Sequence, residues 1–199
     1  MQPGNNILKR LSSALLLFAI ATGLCLPHLC QAAIDEGRVR AAVILHIIAL
    51  TQLPEPTVTP DQPLRMVVLG QDPGRLADIL NAKMNEPAAS TGKMVRASSF
   101  AAYDKNGETE TFANALRDCQ VLYLTKDGMR YLPQLSALLT KRPILTIGET
   151  EEFCQNGDGM VCLTIKAQKL AIHINRKLAI DAGFHFGAEL LRHAVLVDK

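Results

Sequence analysis

The side chains best able to do chemistry in this chain are its cysteines. Cys154 and Cys162 bracket a short loop with two glycines, which lets the backbone bring the two sulfur atoms together. In an oxidising compartment such a pair is expected to form a disulfide, and closing so short a loop restricts the unfolded chain by about 2–3 kcal/mol. Cys119 begins an apolar run typical of a buried strand, where a free thiol packs as a small hydrophobic group. We therefore predict a Cys154–Cys162 disulfide and an unpaired thiol at Cys119, for which an intermolecular bridge or a redox sensor is the alternative.

The histidines and serines form no pattern that indicates catalysis or metal binding. The histidines at positions 46, 173, 185 and 193 lack the helical i, i+4 spacing of a zinc site. No serine lies in the Gly-x-Ser-x-Gly elbow of a hydrolase. The sequence therefore predicts no metal, no cofactor and no catalytic residue. His173 alternates with Ile172 and Ile174 on a predicted strand, so we expect its side chain to face solvent or a partner.

Two further clusters place glycine or acidic residues at predicted helix starts. The segment Gly70–Gly74 follows an apolar strand and opens a helix, where backbone N–H groups could receive an anion. It has neither the Gly-Lys-Ser/Thr of a phosphate-binding loop nor the glycine spacing of a dinucleotide fingerprint, which favours a structural turn. Glu149, Glu151 and Glu152 follow a later strand, and acidic residues favour the first turn of a helix. We therefore interpret these carboxylates as a solvated helix start.

The first 32 residues have the layout of a secretory signal peptide. Lys9 and Arg10 precede the apolar run 14–21, and a small-residue stretch predicts cleavage after Ala32. The apolar run is short for a membrane span, and an uncleaved anchor is the alternative. The remaining residues 33–199 have the length of one domain. Lys9 and Arg10 are the only charged residues in the first 32, so residues 33–199 contain 19 basic and 19 acidic residues and have a net charge of zero. The sequence therefore shows no basic patch typical of nucleic-acid binding.

Strands that alternate with helices predict the fold class. The helix predicted over 35–50 has only Arg40 and His46 as strongly polar residues between Val39 and Leu50, so it should be buried on more than one side or give one face to a partner. Asp72 is expected to cap the next helix, with Pro73 in its first position. Residues 187–197 predict a closing helix. The prediction is an α/β sandwich with a mostly parallel central sheet flanked by helices and an antiparallel hairpin near the C-terminus, with strands at 64–70, 94–97, 121–124, 143–147, 160–165 and 169–174 and a helix at 132–139.

Several segments resemble, in their order and spacing, the YfiR family of periplasmic proteins. The resemblance covers about residues 36–197. Leu53 stands where the family has the tryptophan of a Thr-x-Trp-Pro turn, and Val67 stands where members often have a cysteine that pairs with the one at position 119. His173 occupies a position that is commonly acidic. The matching segments are Val39–Ala42, Thr51–Pro54, Leu64–Gly70, Cys119–Leu124, Pro143–Cys154, Met160–Leu163, Ile172–Asn175, Ala182–Gly183 and Leu190–Leu191.

The resemblance implies one YfiR-like α/β domain over residues 33–199, working in the periplasm without catalysis. YfiR-like proteins bind the periplasmic sensor part of an inner-membrane diguanylate cyclase and hold the enzyme off, and an outer-membrane lipoprotein can sequester them. The Cys154–Cys162 pair corresponds to the family's late-loop disulfide. We therefore expect a repressor of cyclic di-GMP synthesis that forms a homodimer.

Two surfaces are predicted to contact the partner. One is the corner that runs from Leu50 through Leu53 to Pro54. The other is the face that displays His173 and Asn175 near the disulfide loop.

The alternative function is a periplasmic module that binds a small ligand. In open α/β sheets a ligand cleft lies at the carboxyl ends of the strands, here near Gly70–Gly74 and Gly148. An exported enzyme has less support, because no nucleophile, base and oxyanion donor assemble from the sequence.

Overall fold

The computed structural model describes residues 26–55, 62–84, 94–102, 110–140, 142–166 and 169–197. The apolar run of the predicted signal peptide lies outside these residues, and the first described helix includes the predicted cleavage position at Ala32. Within these ranges no helix is long and apolar enough to cross a membrane.

Strands and helices alternate along the chain, as the sequence predicted. The described helices are α1 (Leu26–Ala49), α2 (Leu76–Met84), α3 (Glu110–Arg117), α4 (Leu132–Leu139), α5 (Glu151–Gln155), α6 (Arg176–Asp181) and α7 (Ala188–His193), with a 3-10 turn at Gly128–Tyr131. The described strands are β1 (Thr51–Gln52), β2 (Leu64–Leu69), β3 (Val95–Phe100), β4 (Val121–Leu124), β5 (Leu145–Gly148), β6 (Val161–Lys166), β7 (Lys169–Ile174), β8 (His185–Phe186) and β9 (Val195–Leu196).

A seven-stranded sheet in the order β3-β2-β4-β5-β6-β7-β9 forms the centre of the fold. Neighbouring strands from β3 to β6 run parallel, β7 runs antiparallel to β6, and β9 joins β7 in parallel. The short strands β1 and β8 form a separate antiparallel pair. The predicted α/β fold, with a mostly parallel sheet, flanking helices and an antiparallel hairpin near the C-terminus, is confirmed.

Two apolar clusters cover opposite faces of this sheet, because successive strand residues point to opposite sides. In β2, Met66 and Val68 belong to the cluster that includes residues of α1 and α2. Val67 and Leu69 belong to the cluster that includes residues of α3 and α4. A strand buried on both faces must be apolar at nearly every position, which is why β2, β4 and β5 are almost wholly apolar, with Arg65 and Thr146 as the exceptions.

Helix α1 buries one face against the first cluster and leaves another at the surface. Ala41, Ile44, Ile47 and Ile48 are at most 1% exposed, whereas Val39 is 52% exposed. The helix therefore packs one side against the core, and some of its apolar residues, such as Val39, lie on the exposed side.

The C-terminal segment differs from the predicted single helix over 187–197. Helix α7 ends at His193, and Ala194 has the extended backbone angles φ −101° and ψ 151°. Val195 then pairs with His173 of β7, and Leu196 pairs with Ile174. Strand β7 would otherwise be an uncovered sheet edge, and the backbone hydrogen bonds available there favour a strand over a further helical turn.

Asp72 caps helix α2, but the predicted position of Pro73 is wrong. The helix begins at Leu76, beyond a turn that contains Pro73. The Asp72 carboxylate accepts hydrogen bonds from the backbone N–H groups of Leu76, at 2.9 Å, and Ala77, at 3.2 Å. Arg75 has φ 51°, a left-handed conformation that separates the turn from the helix.

Candidate functional site

The disulfide loop, residues 154–162, is closed by the predicted bond between Cys154 and Cys162, which joins α5 to β6. The backbone N–H groups of Asp158 and Gly159 both donate to the carbonyl of Phe153, at 3.0 and 2.9 Å. A Cβ atom on Gly159 would lie 1.9 Å from the Phe153 ring, so this close approach requires glycine. Covalent and hydrogen bonds therefore hold the loop in one position against the sheet.

His173 and Asn175 lie behind the disulfide loop and not at the surface. His173 is 4% exposed and Asn175 is 2% exposed, so the predicted display of these side chains to solvent is wrong. The His173 ring does point opposite to Ile172 and Ile174, but α5 and the disulfide cover that side of the sheet. Period-two alternation assigns a residue to one face of a sheet and does not say what covers that face.

The two buried side chains position the loop from inside. Asn175 donates from Nδ2 to the carbonyl of Cys154 at 3.1 Å and accepts at Oδ1 from the backbone N–H of Leu178, which caps α6. His173 Nε2 lies 3.2 Å from the hydroxyl of Thr164. Its Nδ1 faces Glu151 Oε1 at 3.9 Å, which is too long for a hydrogen bond. Any effect of these residues on a partner therefore passes through the loop that they support.

The Leu50–Pro54 corner is fixed to the C-terminal part of the chain. The carbonyl of Leu50 accepts a 2.7 Å hydrogen bond from the backbone N–H of Gly187, and β1 pairs with β8. A Cβ atom on Gly183 would lie 3.1 Å from Pro54. Leu50 and Leu53 are partly buried against the first apolar cluster. This predicted surface is therefore held by backbone hydrogen bonds and strand pairing and is partly exposed.

Pro54 and the disulfide loop line one groove, here named the corner groove, with a volume of about 610 Å³. Its floor includes Ile144 and Met160, which are 2% and 5% exposed. The walls include one side of α4, the end of α6 and the loop residues 157–158. The structure thus brings one residue of the predicted corner, Pro54, to the same groove as the disulfide loop. The other predicted contact residues do not line this groove: Leu50, Leu53, His173 and Asn175.

The rim of the corner groove carries three charged side chains, Arg142, Asp158 and Asp181. Arg142 donates to the backbone carbonyls of Leu116 and Cys119, at 2.9 and 3.2 Å, which hold its guanidinium in place, and the two carboxylates outnumber this single positive charge. Across the described residues, neither the Asp158 nor the Asp181 carboxylate forms an ion pair or a side-chain hydrogen bond, and both residues are exposed. The groove therefore combines an apolar floor with an acidic rim.

A second cleft, of about 240 Å³, lies at the carboxyl ends of β2, β4 and β5. In the sheet, β3 lies on one side of β2 and β4 lies on the other, so successive strands are added in opposite directions from β2. The cleft therefore lies where the strand order reverses. The cleft is lined by the predicted turn with Gln71 to Gly74, by Lys126 and Glu149, and by Glu36 and Arg40 of α1.

A polar network sits beside this second cleft. Arg40 Nη1 lies 2.8 Å from both the hydroxyl of Tyr123 and Glu149 Oε1, and Nη2 pairs with Glu36 at 2.5 Å. The Tyr123 hydroxyl donates to Glu149 Oε1 at 2.9 Å, and the backbone N–H of Lys126 donates to Oε2 at 2.8 Å. Sequence reasoning missed this network, although Arg40 is the only formally charged residue between Val39 and Leu50 and a charge in such an apolar stretch needs a partner.

The network fixes the charge states of its members. Burial raises the pKa of Tyr123 and the neighbouring Glu149 carboxylate raises it further, so the phenol stays protonated. Burial disfavours the Arg40 charge, but Tyr123, Glu149 and the Glu36 hydrogen bond outweigh it, so the guanidinium pKa is raised. Glu151 and Glu152 open α5 as predicted, and Glu152 is exposed to solvent, whereas the Glu151 side chain is 29% exposed and pairs with Lys166. The prediction is wrong for Glu149, which precedes the helix and has a side chain only 20% exposed.

Cys119 is a buried free thiol, as the core-packing prediction states. Its residue exposure is 0%, and Sγ–H donates to the carbonyl of Val121 at 2.9 Å. Burial raises the pKa of the thiol to about 12. An inaccessible, protonated thiol is unsuited to an intermolecular bridge or to redox sensing, so the structure favours the packing role over both alternatives.

The model of a family described as YfiR/HmsC-like matches residues 37–195. No curated protein matches the chain significantly. The matched range contains the corner, the disulfide loop and the corner groove, and all of the second cleft except Glu36.

Proposed function

This chain belongs to the YfiR/HmsC-like family, and on that premise we propose that it is a periplasmic repressor of a membrane-bound diguanylate cyclase. The observation that carries the proposal is the family match over residues 37–195. The family is regulatory and not catalytic, and membership suggests that the chain regulates a diguanylate cyclase from the periplasm. Repression by direct binding is the specific form of control proposed here.

The repressor acts by a difference in affinity between two states of the cyclase. Binding of the sensor part must be tighter in the inactive conformation than in the active one, because equal affinity would leave the equilibrium unchanged. A hundredfold preference corresponds to about 2.7 kcal/mol. An outer-membrane lipoprotein that competes for the same repressor would release the cyclase, and a homodimer would present the contact surface twice.

The corner and the disulfide loop are the proposed contact surface. Hydrogen bonds and strand pairing hold the corner, and a covalent bond holds the loop, so neither must be ordered when the partner binds. The exposed parts of Leu50, Leu53 and Pro54 supply apolar area. His173 and Asn175 support the loop from behind and make no contact themselves in this proposal.

The test is the cellular concentration of cyclic di-GMP in a strain that lacks the protein. A rise on deletion, reversed by re-expression of the exported chain, supports a repressor. An unchanged concentration, under conditions in which the cyclase is produced, contradicts it. Re-expression of a chain that lacks residues 1–32 is the matched control, because a protein retained in the cytoplasm cannot reach a periplasmic sensor part.

A second candidate function, binding of a small ligand, is favoured by the cleft at the strand-order reversal. Gly70, Thr125 and Glu149 all follow the carboxyl ends of strands there, which is the usual position of ligands in open α/β sheets. A rise in melting temperature with a small molecule, lost in the Lys126→Met variant and accompanied by no cyclic di-GMP effect on deletion, would favour this function over repression.

A further inference from the structure

We propose that the corner groove receives an apolar segment of the cyclase's sensor part that carries a lysine or arginine beside its apolar anchor residues. The inference rests on the proposed repressor function and adds where the partner docks and what chemistry the docked segment must have. It is carried by three features of the groove, namely its apolar floor, its acidic rim and its concave shape.

The floor of the groove favours apolar anchors. Ile144 and Met160 are buried beneath it, and Leu139 and Leu178 are partly buried in its walls. An apolar centre surrounded by polar groups is the usual anatomy of a protein interface, with binding energy concentrated in side chains that fill a central pocket. A volume of about 610 Å³ suits a few inserted side chains of a helix or an extended segment.

The rim determines the charge of the segment. Asp158 and Asp181 stand exposed at the groove without an ion pair among the described residues, and they outnumber the single guanidinium of Arg142, which backbone carbonyls hold in place. A basic side chain on the partner would pair with these carboxylates, whereas an acidic one would be repelled. The groove therefore selects against acidic segments as well as for basic ones.

A second copy of this chain suits the groove less well. In a twofold homodimer built on this face, the same surface would meet itself. Two concave grooves cannot fill each other, and the four carboxylates of the two rims would face one another. The occupant is thus a different, convex and basic surface.

Two pairs of variants test the groove. Ser136→Trp fills it from α4, and Ala137→Trp places the same bulk on the neighbouring exposed residue that does not line it. Asp158→Lys combined with Asp181→Lys reverses the rim, and Glu189→Lys reverses an exposed carboxylate elsewhere. Thermal unfolding of each variant first establishes that it folds.

The probe is the purified sensor part of the cyclase whose output rises on deletion of this protein, titrated calorimetrically at low and physiological salt. We expect Ser136→Trp and the double reversal each to weaken binding by about tenfold or more, and both controls to stay within about twofold. The affinity of the wild type should fall as salt rises, whereas the affinity of the double reversal should rise with salt, because its rim repels a basic segment and salt screens the repulsion.

The outcomes separate this inference from the function on which it rests. Normal binding by Ser136→Trp and by the folded double reversal, with cyclic di-GMP still rising on deletion, overturns the groove and leaves the repressor function. An unchanged cyclic di-GMP concentration on deletion overturns both. If Ser136→Trp instead abolishes self-association in sedimentation while binding of the sensor part is normal, the groove holds a second copy and the proposal is wrong.

Discussion

Arg40 of helix α1 and Tyr123 of strand β4 meet at a distance of 2.8 Å between Nη1 and the phenol oxygen. Glu149, directly after β5, lies within hydrogen-bond distance of both. Three segments far apart in the chain are thus joined by one charged network at the carboxyl ends of the parallel strands. The network anchors α1 over the sheet, and α1 in turn leads into the Leu50–Pro54 corner.

Removing the Arg40 charge should destabilise the fold. In Arg40→Met the Glu149 carboxylate loses its counter-charge at a site where it is only 20% exposed. We expect a loss of about 2–3 kcal/mol in the free energy of unfolding, since an orphaned, mostly buried charge is costly. Urea unfolding followed by circular dichroism measures it.

Two companion variants make the Arg40 test specific. Arg38→Met changes an exposed arginine of the same helix and should cost less than about 0.5 kcal/mol. Adding Glu149→Gln to Arg40→Met should recover part of the loss, because the unpaired charge is then removed. If the double variant loses as much stability as Arg40→Met and Glu149→Gln lose separately when added together, Arg40 and Glu149 act independently.

The disulfide should stabilise the native state and keep the corner groove in shape. In the Cys154→Ser, Cys162→Ser double variant we expect the free energy of unfolding to fall by about 2–3 kcal/mol, because the unfolded chain regains the freedom of the closed loop. Wild-type protein in a reducing agent should match the double variant, and the reducing agent should leave the double variant unchanged.

The same disulfide variant should bind the sensor part more weakly, because loop residues 157–158 form one wall of the groove. Calorimetric titration of oxidised and reduced protein, at a temperature at which both are folded, measures the difference. Equal affinity in the two states would mean that the loop does not contribute to the partner surface.

The sequence predicts the buried strands well, because a parallel strand covered on both faces leaves a continuous apolar run. Helix α4 was predicted at residues 132–139, its exact limits in the structure. Strand β9 was missed because Val195 and Leu196 pair only where β7 offers a free edge, which is a property of the assembled sheet. Strands β1 and β8 are two residues long and too short for any periodicity.

The candidate site was predicted only in part, for a related reason. The disulfide follows from two cysteines close in sequence. The corner was proposed from the family resemblance, and its contact role stays a prediction. The burial of His173 depends on α5, and the environment of Glu149 depends on Arg40, which is distant in the chain. Patterns of neighbouring residues in the sequence do not indicate contacts between distant segments. Asp158 and Asp181 also come from different segments, so the acidic rim that they form is seen only in the folded structure.

Cys119 should make stability fall in alkaline solution. Burial raises the pKa of its thiol to about 12 in the folded protein, against about 8.5 in an unfolded chain. Its contribution is fully present below the unfolded pKa and is lost as pH rises, because only the unfolded state releases the proton. By pH 10 the loss should reach about 2 kcal/mol.

The alkaline effect is read as the difference between the wild type and Cys119→Ala in urea unfolding between pH 7 and 10. The variant lacks the thiol, so the two stability curves should converge as pH rises. A constant difference across this range would contradict a buried thiol. Native wild-type protein should also resist iodoacetamide and react with it only in denaturant, as mass spectrometry would show.

Asn175 should act on stability and on the disulfide loop without touching a partner. Asn175→Ala removes both the cap of α6 and the hydrogen bond to the Cys154 carbonyl, and we expect a loss of about 1–3 kcal/mol. Asn175→Ser separates the two roles, because serine caps helices well but is too short to reach the carbonyl. It should lose less stability than the alanine variant, while both become easier to cleave within residues 155–159. Asn175 is 2% exposed, so the variant should bind a partner more weakly only if the loop is altered. If Asn175→Ala keeps wild-type stability and protease resistance but binds the partner more weakly, the direct contact predicted from the sequence is supported instead.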